Sequence, residues 1–283
     1  MAASPTDPEA LAGLIADAAV AACGLLLCTD FDGSLAPIVP DPGGAVALPE
    51  AARALRRLSG AGAAHGVGLR CPVKVAVVTA RDSDDAAGRV DLGPEAVVVG
   101  NLGLERIAGG RRTVVPRAIG WLPALDRAEA ELGGALASGR VPGARLERKR
   151  YSAVVHTRGI DDPAADGAAA ALAAEVAATH GLWRLEGKHA AEVHVPVRRD
   201  KASAVIALRR GGWARAALCA AGDDLMDIPM LRLASRLGPR GIAVAVADDE
   251  TPAEVLAAAD HRIDGPPAWE RTLSRLARLL AAV

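Results

Sequence analysis

Aromatic residues are scarce in this 283-residue chain: four tryptophans, one tyrosine and one phenylalanine, 2% in all. A chain long enough for a substantial core must then be packed mostly by alanine, valine and leucine, within an apolar content of 51%. Cysteine is nearly as rare. Cys23, Cys28, Cys71 and Cys219 show no metal-ligand spacing, and Cys28 and Cys219 lie inside apolar runs, where a small buried thiol is expected. That usage predicts a reducing, cytoplasmic setting. Charge of one sign is not in excess either: the net charge of −1 argues against a general nucleic-acid or membrane-surface binder and leaves a small molecule as the expected partner. No long hydrophobic run precedes the first polar motif; Ala18 to Cys28 is too short to span a bilayer and has no basic residues before it, so no targeting segment is expected.

What is present is a series of apolar runs that end in polar groups. Leu25 to Thr29 reads as a buried strand handing over to Asp30-Phe31-Asp32-Gly33-Ser34. Side chains alternate along a strand, so Asp30 and Asp32 would share a face, which is unfavourable unless a cation lies between them or one keeps its proton. Val73 to Val78 ends in Thr79-Ala80-Arg81-Asp82, and Ala96 to Val99 ends in Gly100-Asn101-Leu102-Gly103-Leu104-Glu105. Ala216 to Ala221 ends in Gly222-Asp223-Asp224-Leu225-Met226-Asp227, and Ile242 to Val246 follows. Helix starts fall between these runs, at Asp7-Pro8-Glu9, at Pro49, at about Lys201 and at Thr251-Pro252-Ala253-Glu254, which reads as a capping box. A last helix after Pro266-Pro267 carries Leu273, Leu276, Leu279 and Leu280. Strands alternating with helices predict an α/β fold with a parallel sheet, whose carboxyl edge is where such folds bind ligands.

Between residues 113 and 197 the pattern changes. A strand near Thr113, a helix over about 121–136 and two close strands, 144–148 and 151–157, precede a helix over about 163–180 and strands 183–186 and 190–195. Adjacent strand pairs indicate hairpins, so residues 113–197 are expected to form an α+β domain inserted into a parallel domain made of residues 1–112 and 198–283. Alternation would put Ser152, Val154, His156 and Arg158 on one face. Trp121, Trp183, Trp213 and Trp269 read as packing residues.

Asp30, Asp32, Thr79, Lys201, Asp223 and Asp227 would thus converge on one sheet edge. Singly, Thr79 could be a helix cap, Lys201 a solvated lysine and Asp223 to Asp227 first-turn acids favoured by a helix dipole. Together, carboxylates in that number repel strongly at protein-like dielectric. A hard divalent cation such as Mg²⁺ resolves the repulsion, and Thr79 and Lys201 suit phosphate oxygens. This describes phosphoryl transfer with an aspartate nucleophile.

Asp30-Phe31-Asp32-Gly33-Ser34, Thr79, Lys201 and Gly222-Asp223-Asp224-x-x-Asp227 resemble the four ordered motifs of the haloacid dehalogenase (HAD) superfamily of phosphohydrolases. The closer resemblance is to trehalose-6-phosphate phosphatases, through Leu35-Ala36-Pro37-Ile38, Val77-Val78-Thr79-Ala80-Arg81 and Gly100-Asn101-Leu102-Gly103-Leu104-Glu105. In the inserted region, Glu147-Arg148-Lys149, Ser152-x-x-x-His156-x-Arg158, Gly187-Lys188 and Glu192 resemble that family's cap segments. The resemblance implies a HAD-like core with a C2-type cap, and an aspartyl-phosphate formed on Asp30 with Asp32 as general acid and base. It implies Mg²⁺ held by Asp30, the Asp32 carbonyl and Asp223, with Asp227 or Asp224 completing the shell. Thr79 and Lys201 would bind phosphoryl oxygens, and Arg81, Asn101, Glu147, Lys149, His156, Arg158, Lys188 and Glu192 would bind substrate. Four positions depart from the family pattern: Leu102 stands for His, Ala202 for Gly, Met226 for Thr and Ile228 for Glu. The expected reaction is hydrolysis of trehalose 6-phosphate; the alternatives are the phosphate of glucosylglycerate, mannosylglycerate or sucrose, or a non-catalytic sugar-phosphate sensor.

Overall fold

The computed structural model describes residues 5–39, 42–60, 68–90, 92–93, 95–187, 189–249 and 251–281. Helix α1 (Pro8–Ala21) starts where Asp7 accepts from the Ala10 amide and Pro8 opens the first turn. Strand β1 (Leu25–Thr29) follows, then α2 (Pro49–Leu58), β2 (Val73–Val78), α3 (Ser83–Val90) and β3 (Val97–Gly100). A hairpin of β4 (Glu105–Ala108) and β5 (Arg111–Val114) leads to α4 (Pro116–Ile119), α5 (Leu122–Ala137), β6 (Arg145–Lys149) and β7 (Ser152–His156). Next come α6 (Ala165–His180), β8 (Trp183–Gly187), β9 (Ala190–His194), α7 (Lys201–Leu208) and β10 (Ala217–Gly222). The chain ends with α8 (Ile228–Ser235), β11 (Gly241–Ala247), α9 (Ala253–Leu256), β12 (His261–Asp264) and α10 (Gly265–Leu280).

Two compact units result. The first comprises Met1–Thr113 and Arg199–Val283, the second Val114–Arg198. In the first, eight strands run in the order β12-β11-β10-β1-β2-β3-β4-β5, parallel from β12 to β3 and antiparallel between β3 and β4. All of β1 is buried because it pairs on both edges and is covered on both faces. Alternation divides it between two cores: Leu25 and Leu27 pack with Leu11, Ile15, Leu55, Trp269, Leu273 and Leu276, while Leu26 and Cys28 pack with Val205, Leu218, Met230 and Leu231. Trp269 lies fully buried and donates its indole N–H to the Thr29 hydroxyl at 3.1 Å, satisfying the one polar atom it brings inside. All four cysteines are free, and Cys28, Cys71 and Cys219 are buried.

In the second unit, β6-β7-β9-β8 form an antiparallel sheet against which α5 and α6 pack. Arg148 pairs with Asp126 and Glu129 on α5, which fixes the helix-covered face as that of Leu146, Arg148, Ala153, Val155, Ala191 and Val193.

Several expectations change. The strand near Thr113 is β5, on the edge of the first sheet; it makes a hairpin with β4, whose short, mixed sequence Glu105–Ala108 carries no apolar run to betray it. Strand β12 was not expected either. Thr251 makes no capping box: its hydroxyl bonds Asp248, and the α9 N-cap is Pro252, without a side-chain hydrogen bond. Pro266 and Pro267 lie inside the first turn of α10, where the missing amide hydrogens cost nothing.

Candidate active site

Register brings the strand ends together. Thr29 is level with Ala221 on one side and Val77 on the other, so Asp30, Thr79 and Asp223 leave the sheet at the same edge. The Asp30 amide donates to the Ala221 carbonyl at 2.9 Å and the Thr79 amide to Val99 at 2.9 Å, extending the ladder past the last strand residues. Lys201 opens α7 behind Asp200, which caps the helix through a reciprocal pair of bonds with Ser203.

Lys201 is buried with its ammonium 2.6 Å from Asp227 Oδ1 and 2.8 Å from Asp30 Oδ1. Asp227 is also wholly buried, and its Oδ2 accepts the amides of Asp223 and Asp224, each at 3.0 Å. Gly222 makes room for it, since a Cβ there would lie 2.2 Å from Asp227 Cγ. The carboxylate of Asp223 is held by the Ser34 hydroxyl at 3.1 Å and sits against Gly33, where φ is +72° and a Cβ would come within 2.0 Å of it. Burial first, and then the Asp227 charge against the counter-pull of Lys201, pushes the Asp30 carboxyl up to about 7. Burial, followed by the Asp30 and Asp227 charges, pushes Asp223 up to about 9. Burial alone would favour neutral Lys201, but Asp227 and Asp30 outweigh it and hold the ammonium above its ordinary range.

Asp32 points into a different partnership. Both its oxygens accept from Arg81, Nε and Nη2 each at 2.7 Å, and Arg81 Nη1 donates to Asp85 at 2.9 Å. The guanidinium also lies 5.2 Å from the Phe31 ring centroid. Thr79 is buried and accepts the Arg81 amide at 3.1 Å. Asn101 donates to Asp82 at 2.7 Å and to Glu105 at 3.0 Å, while Glu105 takes the Ser83 amide at 2.7 Å. Arg81 and Asn101 are thus tied to neighbouring carboxylates. Asp224 is exposed and accepts the Leu225 amide at 2.6 Å. Ser34, Asp85, Arg89 and Glu105 were not singled out; the i, i+4 spacing of Arg81, Asp85 and Arg89 was the signal available for two of them.

In the second unit, the register puts Glu147, Lys149, His156 and Glu192 on the sheet face opposite α5 and α6. His156 Nε2 lies 2.6 Å from Glu147. Ser152 and Val154 share that face but are buried, and Arg158 lies beyond the end of β7 rather than in the expected alternation. Trp183 is level with His194 on the same face and 38% exposed, so it is not the packing residue expected. Lys188 lies outside the described residues.

The family model for trehalose-phosphatase matches residues 28–254. The chain belongs to the trehalose-phosphatase family. It is 32% identical over 280 residues to a trehalose-phosphate phosphatase of Mycobacterium tuberculosis (strain ATCC 25618 / H37Rv), covering 96% of this chain and 66% of that protein. The chain therefore spans just under two thirds of the length of such curated relatives. In fold it is similar to the C-terminal domain of a C. albicans trehalose-6-phosphate phosphatase, with a TM-score of 0.68 at 19% identity, over 98% of this chain and 99% of that one. A haloacid dehalogenase-like hydrolase from Bacteroides thetaiotaomicron gives a TM-score of 0.54 at 14% identity, over 86% and 94% of the two chains. The fold is HAD-like.

Within this chain, Asp30, Asp223 and Asp227 offer oxygens within 4.8 Å of one another. Three carboxylates face one ammonium, and two of them resist ionising. That is the state a divalent cation relieves. Asp227 already spends both oxygens on Lys201 and two amides, so Asp30 and Asp223 are the carboxylates fitted to touch a metal. Two carboxylates form a hard-oxygen donor set of the kind a divalent cation such as Mg²⁺ takes. Among the described residues, no helix is long and apolar enough to cross a membrane.

Proposed function

We propose that the chain is a Mg²⁺-dependent phosphohydrolase that converts trehalose 6-phosphate to trehalose and phosphate. The observation that carries this reading is the cluster of Asp30, Asp223 and Asp227, with Lys201 paired to Asp30 and Asp227, in a chain of the trehalose-phosphatase family. Bound at Asp30, Asp223 and the Asp32 carbonyl, Mg²⁺ would supply charge neutralisation for the phosphoryl oxygens.

The residues divide the work. An Asp30 oxygen attacks phosphorus as the bond to the sugar oxygen breaks, and Asp32 gives that oxygen its proton. In the second step Asp32 takes a proton from water, whose oxygen displaces Asp30 from phosphorus. Lys201, kept cationic by Asp227 and Asp30, and the Thr79 hydroxyl hold phosphoryl oxygens. Asp227 acts as the fixed counter-charge that aims Lys201. In the second unit Glu147, Lys149, His156 and Glu192, with Arg158 and Lys188, are assigned to the sugar hydroxyls, for which carboxylates accept and cations donate.

Phosphate release from a panel of sugar phosphates, with Mg²⁺ and with chelator, tests the reading. Trehalose 6-phosphate should be turned over fastest and only with the metal. Faster release from another sugar phosphate would overturn the substrate; binding without release would leave a sensor.

A further inference from the structure

Asp32, Arg81, Asp85 and Arg89 form an ordered file of alternating charge. Arg81 grips Asp32 through two nitrogens and Asp85 through the third. Asp85 in turn accepts Arg89 Nε at 2.7 Å, and Arg89 Nη1 donates to the carbonyls of Gly43 at 2.7 Å and Ala45 at 2.8 Å. Arg81 and Arg89 are mostly buried, and Asp85, on α3, lies four residues after Arg81 and four before Arg89. Opposed by burial, the hydrogen bonds from Arg81 and Arg89 still hold the Asp85 carboxyl below its usual range.

A bidentate pair with both oxygens at 2.7 Å fixes the plane of the Asp32 carboxylate as well as its position. The plane of a guanidinium is free to turn about its long side chain unless its other edge is also held. Asp85 holds that edge, and Arg89 anchors Asp85 to the backbone of the segment after the first motif. Nothing in the proposed chemistry requires Asp85 to touch substrate.

We propose that Asp85 is a positioning residue, acting through Arg81 to set the orientation of the Asp32 carboxyl for proton transfer to the leaving oxygen; in that step one Asp32 oxygen carries the proton it gives up while the other keeps its bond from Arg81. This rests on the reading of Asp32 as general acid. It is local to the first unit, and in kcat/KM, which reports the first step and not the later attack of water, its effect is confined to leaving groups that need a proton.

The test is Asp85→Asn in the full chain, measured on aryl phosphates graded from a weakly basic leaving group, p-nitrophenolate, to phenolate, and on an alkyl phosphate. General acids contribute about 10²–10⁴-fold, so misaiming one should lower kcat/KM about tenfold or more on the alkyl ester while kcat/KM for p-nitrophenyl phosphate stays within about twofold. Asp85→Glu should recover part of the loss. An equal loss across the series would mark Asp85 as merely structural, and no loss on the alkyl ester would overturn its role; either result sinks the inference while leaving the phosphatase reading intact. A wild-type protein inactive across the whole series would instead sink the phosphatase reading, and the inference with it.

Discussion

The two units handle charge in opposite ways. In the first, Asp30, Lys201 and Asp227 are withdrawn from water and committed to one another, with Asp227 using both oxygens. In the second, the carboxylate of Glu147 sits half exposed beside His156, and Arg140 and Glu175 meet at the surface. Buried charges are strong only in a fixed geometry and costly when a partner is lost; exposed ones are screened and cheap to exchange. The first arrangement suits bond-breaking, where atoms must be held in place. The second suits recognition, where a contact can be added or removed without endangering the fold.

The sharpest way to break the contrast is at Asp30. Asp30→Asn removes the proposed nucleophile while lightening a crowded set of negative charges. We expect turnover to fall by at least about a thousandfold, as losses of a nucleophile do, with thermal stability unchanged or higher. Readily measured turnover in the variant would refute covalent catalysis by Asp30.

Lys201→Met tests commitment instead of chemistry. It leaves Asp227 Oδ1 and Asp30 buried without a cation, a loss expected to cost about 3–5 kcal/mol of stability. Chemical denaturation in metal-free buffer reads it directly. A cost below about 1 kcal/mol would make this pair energetically no different from an exposed one and erase the distinction.

The carboxyls of Asp30, at about 7, and Asp223, at about 9, give the metal-free protein a particular pH dependence. Both are raised above an unfolded value near 4, so the folded state binds more protons in between, and the stability these groups contribute is lost as pH rises. Without metal the melting temperature should fall progressively from about pH 5 to about pH 9, a window set by the unfolded carboxyl value and the two raised ones. Mg²⁺ should raise it most at the alkaline end, where it replaces protons already gone. A Mg²⁺ effect that does not vary with pH would place the ion elsewhere.

How much of this was legible in advance follows the same division. The strand ends of the first unit could be read because a buried parallel strand is an apolar run and its last residues are conspicuously polar; β2 was bounded at both ends correctly. The partnerships beyond those ends could not. Arg81 looked available to a substrate, yet its three nitrogens are taken by Asp32 and Asp85, a fact set by the register of β1 against β2 and by the path of α3. Asp227 looked like a metal ligand and does offer an oxygen within 4.8 Å of those of Asp30 and Asp223, but only the folded turn shows its carboxylate also holding Lys201 and two amides. Strands β4 and β12 lie toward the edges of the sheet, where one-sided burial demands no apolar run.

The gentlest intervention falls on the second unit. Glu192 lies half-buried on the sheet face opposite α5 and α6, level with Val154 on one neighbour and Leu185 on the other, and no ion pair or hydrogen bond holds it among the described residues. Glu192→Gln keeps its size and removes a charge that nothing in the fold uses, so stability should change by no more than about 0.5 kcal/mol. If the face recognises sugar hydroxyls, KM for the sugar phosphate should rise about tenfold, the weight of one charge-assisted hydrogen bond, while kcat/KM for p-nitrophenyl phosphate, which has no sugar to hold, stays put. A fall in both substrates would assign Glu192 to the folded framework, and no change in either would remove it from recognition; only the split separates a residue that binds from one that merely supports.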